Sequence, residues 1–239
     1  MRLVPPLPRA EHAVEMLDGP AALDDLSRSL AEVARLNALF GGRLITMAHV
    51  KRLIGAIPSH RRVTVLDVGT GSADVPLALV RWARRAGRPI RVLALDRDLP
   101  TLSIARRAAA GFPEIVPIQG DARLLPVRPR SVDIVISALT LHHLEPEPAV
   151  RFLVEMDAAA RSGFVVNDLA RSRSAYVLVW LATRVFTRTR MSRHDGPLSV
   201  RRAYTPDEVR ALCEKAGMFD VRVFRYAPLS RQCAVRVKR

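Results

Sequence analysis

Hydrophobic positions along the chain change their period once, near residue 60, and that change divides the sequence. Before it, Leu23, Leu26, Leu30, Val33 and Leu36 recur at the three-and-four spacing of an amphipathic helix, Gly41-Gly42 interrupts, and Leu44 to Ile57 resumes the pattern. Residues 20–57 are therefore expected to form two helices, an N-terminal helical cap within residues 1–58. From Val63 onward short apolar runs alternate with helical stretches, the rhythm of βαβ units feeding a parallel sheet. Strands are expected at 63–68, 91–96, 115–118, 132–138 and 163–167, with helices at 73–86, 99–110 and 147–160 between them. After Asp168 the alternation stops. A segment rich in arginine and aromatics (170–203) reads as an insertion, Thr205-Pro206-Asp207-Glu208 opens a further helix, and 220–227 with 232–238 reads as an antiparallel hairpin at the sheet edge. The expected architecture over residues 59–239 is an α/β, Rossmann-like three-layer sandwich with a mostly parallel sheet.

Composition changes this picture little. With 49% hydrophobic and 26% charged residues the chain has the make-up of an ordinary globular domain, which argues against wholesale disorder. The 38 basic and 23 acidic side chains give a formal charge of +15, and only Lys51, Lys215 and Lys238 of the basic set are lysine. So strong an arginine bias reads first as codon usage and second as a nucleic-acid footprint. Cys213 and Cys233 are far apart and form no C-x-x-C pair, so neither a metal site nor a disulfide framework is indicated, and a reducing cytoplasm is expected. Val4-Pro5-Pro6-Leu7-Pro8 lacks the apolar stretch of a secretory signal. The longest apolar run, Ala175 to Thr183, ends at Arg184, well short of the roughly 20 residues a spanning helix needs.

The segment Val63-Thr64-Val65-Leu66-Asp67-Val68-Gly69-Thr70-Gly71-Ser72-Ala73 is an apolar strand running into a glycine-rich turn that opens a helix. Glycines there let a ligand approach the backbone, and the helix N-terminus offers amide donors. A carboxylate, Asp67, precedes the first glycine, and Asp74 occupies the place of the third glycine of G-x-G-x-x-G, where a negative charge would repel a pyrophosphate. A ligand with a cationic end suits these acids better than NAD does. Asp96 ends the second strand one βαβ unit later, where a carboxylate can accept ribose hydroxyls, and Asp121 follows the third strand in Gln119-Gly120-Asp121-Ala122.

In these motifs the chain resembles the class I S-adenosylmethionine-dependent methyltransferases, over roughly residues 60–170, with Ala73 in place of the motif's last glycine. The resemblance implies S-adenosyl-L-methionine as cofactor, held by Asp67, Gly69, Gly71, Asp96 with its neighbour Arg97, Asp121 with the Ala122 backbone, and Ala138 at the end of the fourth strand. The loop after that strand reads Ser137-Ala138-Leu139-Thr140 and not the Asn/Asp-Pro-Pro-Tyr/Phe of enzymes that methylate nucleic-acid bases, so the resemblance is nearest the quinone and polyketide or phenolic-lipid branch. That branch implies transfer to a small aromatic or polyketide-like acceptor, on oxygen before carbon, in secondary metabolism. An RNA methyltransferase, and a protein that keeps the fold without methylating, remain the alternatives.

Removing the acceptor's proton calls for a group that titrates near neutrality, which directs attention to His142, His143 and the His194-Asp195 pair. His194 is expected in a turn-rich part of the insertion, Ser192 to Pro197. A Trp180-, Tyr176- and Phe186-bearing lid would favour an apolar acceptor, and Arg171, Arg173, Arg188 and Arg190 beside it could rest on anionic lipid.

Overall fold

A computed structural model describes residues 7–227 and 230–238; the Val4-Pro5-Pro6 stretch lies outside them. Its centre is a seven-stranded sheet in the order β3-β2-β1-β4-β5-β7-β6. The strands are β1 (Val63–Val68), β2 (Ile90–Asp96), β3 (Ile115–Gln119), β4 (Val132–Ala138), β5 (Ala160–Leu169), β6 (Arg222–Tyr226) and β7 (Arg231–Val237). The first five run parallel, and β7 lies antiparallel between β5 and β6, so the C-terminal hairpin closes the sheet edge.

Helices cover both faces, as a buried parallel sheet requires. They are α1 (Leu23–Leu39), α2 (Gly42–Gly55), α3 (Asp74–Arg85), α4 (Leu99–Ala108), α5 (Pro146–Ala159), α6 (Arg173–Phe186), α7 (Arg190–Arg202) and α8 (Pro206–Lys215). Along β1 the period of two sends Val63 and Val65 into one core, with Val50 and Ile54 of α2 and Leu79 of α3. Leu66 and Val68 enter the other, with Phe152 and Met156 of α5 and Leu212 of α8. The N-terminal segment is thus divided: α2 is a sheet-covering helix built into the core, while α1 packs its Leu26 and Leu30 against Ile104 of α4.

Three expectations need correction. β5 begins at Ala160, inside the stretch expected to be helical, because Gly163 (φ +137°) allows a register shift beside β4 where any Cβ would meet the Arg236 carbonyl at 2.0 Å. The segment 192–197, expected as a turn, lies within α7. There Thr189 caps the helix by accepting from the Ser192 amide, and Gly196 packs so closely on α6 that a Cβ would stand 2.5 Å from Thr183 Cγ2. Tertiary packing tolerates Pro197 in mid-helix, at the loss of one backbone bond. Arg171, expected among the lipid-facing cations, is buried, donating to the carbonyls of Ala203 and Leu7 and pairing with Glu208.

The expected start of α8 is present as a reciprocal capping box between Thr205 and Glu208. Cys213 and Cys233 are buried free thiols. No helix among the described residues is long and apolar enough to cross a membrane.

Candidate functional site

The site lies at the carboxyl ends of β1, β2, β4 and β5, where open α/β sheets take their ligands. Two half-sites meet there.

The first is built by the loop after β1. Gly69 (φ +73°) must lack a side chain, since a Cβ would lie 2.3 Å from Thr140 Oγ1 in the loop after β4. Gly71 and Ala73 also adopt left-handed backbone, at φ +54° and +61°. For Ala73 this costs about 1 kcal/mol, which is the physical meaning of an alanine in the glycine's place. Asp67 is buried and accepts from Thr70 Oγ1 at 2.7 Å. Burial, reinforced by the nearby Asp74 and Asp96, pushes its carboxyl up to about 7. Asp96 is raised too, chiefly by burial, although it accepts from the Gly71 amide at 3.0 Å and the Asp98 amide at 3.2 Å.

These features fit S-adenosylmethionine. Each Asp96 oxygen accepts one described bond, leaving a lone pair on each for a ribose hydroxyl. Buried acids whose carboxyls are pushed toward neutrality are stabilised as anions by a nearby cation. Asp74 behaves alike: burial raises it, and Asn37 Nδ2 of α1 donates to it at 3.2 Å. Asp121 stands at the rim and is gripped by Arg123 at 2.5 Å, which holds its carboxyl down at about 2, so an adenine amino group would have to share it. Ala122 beside it is half-buried against the core. Ala138 ends β4, followed by Leu139 at φ +59° with its amide on the Asn167 carbonyl. Arg97 turns outward, 3.4 Å from Asp18.

The second half-site was not visible as a unit in the sequence. His142 is buried in the turn after β4; its Nδ1 lies 2.7 Å from Asp168 Oδ1, and its backbone amide donates to Asp168 Oδ2 at 2.9 Å. Burial works to raise Asp168, yet the adjacent imidazole holds it below the usual range. An ionised carboxylate only accepts, so Nδ1 carries the hydrogen, and in the neutral imidazole Nε2 keeps its lone pair. His143 repeats the arrangement with Asp18, 2.9 Å from its Nδ1. Both Nε2 atoms face Glu15, at 3.6 and 3.9 Å. Glu15 is buried and pushed up to about 7 by burial, against the pull of His143. Its Oε1 has no hydrogen-bond partner among the described residues.

Glu15, His142 and His143 offer ligand atoms within 4.8 Å of one another and could hold a cation. They floor a cavity of about 120 Å³ walled by Leu36, Phe40, Leu139, Leu178, Val179 and Ala182. That is the scale of a cavity that accepts a benzene-sized group.

Asp195 also borders the cavity, but its oxygens accept the Met16 and Leu17 amides at 2.8 and 2.9 Å, anchoring the segment that carries Glu15. His194 is not brought to the cavity. Its half-exposed ring sits on the outer side of α7, with Nδ1 2.8 Å from Asp195 Oδ1. Sequence reasoning missed Glu15, Asp18 and Asp168. Asp168 carried the same signal as Asp67 and Asp96, an acid near the carboxyl end of a core strand. Glu15 and Asp18 carried none.

A methyltransferase-domain family model matches residues 65–163. The chain is 38% identical over 87 residues to malonyl-[acyl-carrier protein] O-methyltransferase of Xylella fastidiosa, covering 36% of this chain and 28% of that protein. It is 29% identical over 236 residues to demethylmenaquinone methyltransferase of Roseiflexus castenholzii, covering 92% and 90%. A solved S-adenosylmethionine-dependent methyltransferase of Aquifex aeolicus shares the fold, with a TM-score of 0.53 and 23% identity, over 72% of this chain and 80% of that one. The matched stretch runs from within β1 into β5 and contains the glycine loop, Asp67 and Asp96, so the chain carries a methyltransferase domain whose fold is that of solved S-adenosylmethionine-dependent methyltransferases.

Proposed function

We propose that the chain methylates a hydroxyl oxygen, of phenol or enol type, on a small and largely apolar acceptor held in the cavity beneath α6, with His142 as the base. The observation that carries this reading is the His142–Asp168 pair, with His142 lining the cavity and its Nε2 3.6 Å from the unpartnered Glu15 oxygen. When bound, the cofactor would supply an electrophilic methyl on a cationic sulfur, and the sulfur would keep the pair of the carbon–sulfur bond and leave as a neutral thioether. Asp168 fixes the imidazole so that Nε2 takes the acceptor's proton as the oxygen's electron pair forms its bond to carbon, and the imidazolium that results is stabilised by the carboxylate. Glu15 Oε1 orients the hydroxyl, and Leu139, Leu178 and Val179 exclude water and place the ring. The relatives named for a quinone and for an acyl-carrier substrate support acceptors with an acidic O–H or a neighbouring carbonyl.

The test is single-turnover transfer to a panel of phenols and enolisable β-diketones, with His142→Ala beside the native protein. A loss of about two to four orders of magnitude in the chemical step, with cofactor affinity unchanged, is expected. Native rates in the variant would remove His142 as the base, and methyl on carbon in the product would move the nucleophile to the enol carbon. A chelator should leave turnover unchanged, because the imidazole carries the proton.

A further inference from the structure

Helix α6 is apolar on two sides. Its inner residues Leu178, Val179 and Ala182 wall the acceptor cavity. Its outer side presents Val177, Trp180, Leu181 and Val185 to solvent, exposed by 54, 38, 48 and 70%. The spacing of three and four makes these one continuous stripe. The helix carries no acid, and its arginines border the stripe: Arg184 stacks over Trp180 at 4.1 Å, and Arg188 and Arg190 follow the helix end. None of these three has a carboxylate partner within ion-pair distance among the described residues. The stripe is extended by Phe186, whose ring lies 6.1 Å from Phe40, next to the exposed Leu39.

Beside the stripe runs an open groove of about 1360 Å³ between α1 and the start of α7, edged by Arg28, Arg35, Arg188 and Arg190. The acids nearby are already engaged: Asp25 pairs with Arg28, and Glu32 accepts the Arg188 and Thr189 amides. Met16 and Met191 line this groove while their neighbours Leu17 and Ser192 line the inner cavity, so a single layer of chain separates the two spaces.

Three occupants could cover such a face. A second copy related by a two-fold axis would set the arginine border against itself, at a cost in like-charge repulsion. An acidic protein would pair with the arginines but leave the aliphatic stripe without a counterpart. An anionic bilayer answers both, with acyl chains on the stripe and phosphates on the arginines, the arrangement of an interfacial amphipathic helix. We propose that α6 docks the protein on anionic lipid surfaces, bringing the wall of the acceptor cavity to the membrane. This inference stands whichever acceptor atom is methylated.

The test uses the full-length chain with Trp82→Phe, leaving Trp180 as the reporter, and vesicles of phosphatidylcholine alone or mixed in equal parts with phosphatidylglycerol. A blue shift of Trp180 emission and co-sedimentation are expected with the mixed vesicles only. Val177→Ser, Leu181→Ser and Val185→Ser combined should weaken partitioning by about a hundredfold, since three aliphatic side chains lose their apolar burial. Arg188→Ser with Arg190→Ser should weaken it by about tenfold or more, given roughly 1 kcal/mol for each cation near the surface. Unchanged cofactor binding certifies that the variants are folded. Partitioning unaffected by the triple substitution would show mere adsorption by the +15 charge and overturn the proposal. So would absence of vesicle binding together with retention by bulk RNA, or burial of Trp180 in a concentration-dependent dimer.

Discussion

The acids proposed to face the cofactor and those proposed to face the acceptor are assembled in different ways. Asp67 and Asp96 sit at the ends of β1 and β2, adjacent strands in register along Val63–Val68, and both accept from the loop after β1, Asp67 from Thr70 and Asp96 from Gly71. Glu15 is held near His142 by its neighbour Met16, whose amide donates to Asp195, 179 residues beyond Met16. Asp18 comes to His143 across 125 residues, and Asp168 to His142 across 26. The cofactor half is a local motif on a rigid sheet, whereas the acceptor half is a meeting of three remote segments. Chemistry common to many acceptors can reside in the first, and discrimination between acceptors in the second.

This contrast can be broken by substitution. The largest effect is expected for Asp168→Asn, which leaves His142 in place but presents it with the wrong hydrogen-bond partner. Turnover should fall by about two to four orders of magnitude while cofactor affinity holds, and the pH–rate profile should move with it. A profile that stayed unchanged would reduce Asp168 to a structural support.

Asp96→Ala should do the reverse, weakening cofactor binding by about 1.5–3 kcal/mol, as for lost hydrogen bonds to a charged group, and calorimetric titration reads this directly. An unaltered dissociation constant would take Asp96 out of the ribose site.

Asp67 sharpens the same contrast through pH. Its carboxyl, raised to about 7 by burial, is protonated in a good share of molecules at neutrality, and the cationic cofactor favours the anion. Binding should therefore release a proton, so affinity rises with pH through about 7 and weakens by about tenfold for each unit below it. Titrations in buffers of different ionisation enthalpy would count that proton; equal heats would mean Asp67 is charged beforehand. The smallest effect belongs to His194→Ala, which should leave turnover within about twofold, because the exposed ring lies off the cavity. A large loss would return it to the reaction.

The sequence's legibility follows the same divide. Every strand through β5 was placed to within a few residues, since each is a short buried run bounded by turn residues, and the glycine loop announced itself within eleven residues, Val63 to Ala73. The lid was misread where local signals and packing disagree. Gly196-Pro197 ordinarily marks a turn, yet the Thr189 cap and the contact with Thr183 hold both residues in a helix. That error hid the role of Asp195, whose neighbour His194 looked like its partner in catalysis when the carboxylate in fact anchors the segment bearing Glu15. No periodicity marks residues 7–18, whose hydrogen bonds run to α7 and to the loop after β4.

Gly196 also carries a consequence for how acceptor range can change over evolutionary time. It is the point where α7 touches α6, so the gap between these helices is gauged by a backbone position as well as by the bulk of the wall side chains. A methyl there would stand 2.5 Å from Thr183 Cγ2 and 3.3 Å from Val179 Cγ1, so α6 or these side chains would have to shift at the cavity wall. Gly196 itself lines the cavity that His142 and Glu15 line, so directed variation at 196 is an economical way to reshape that cavity.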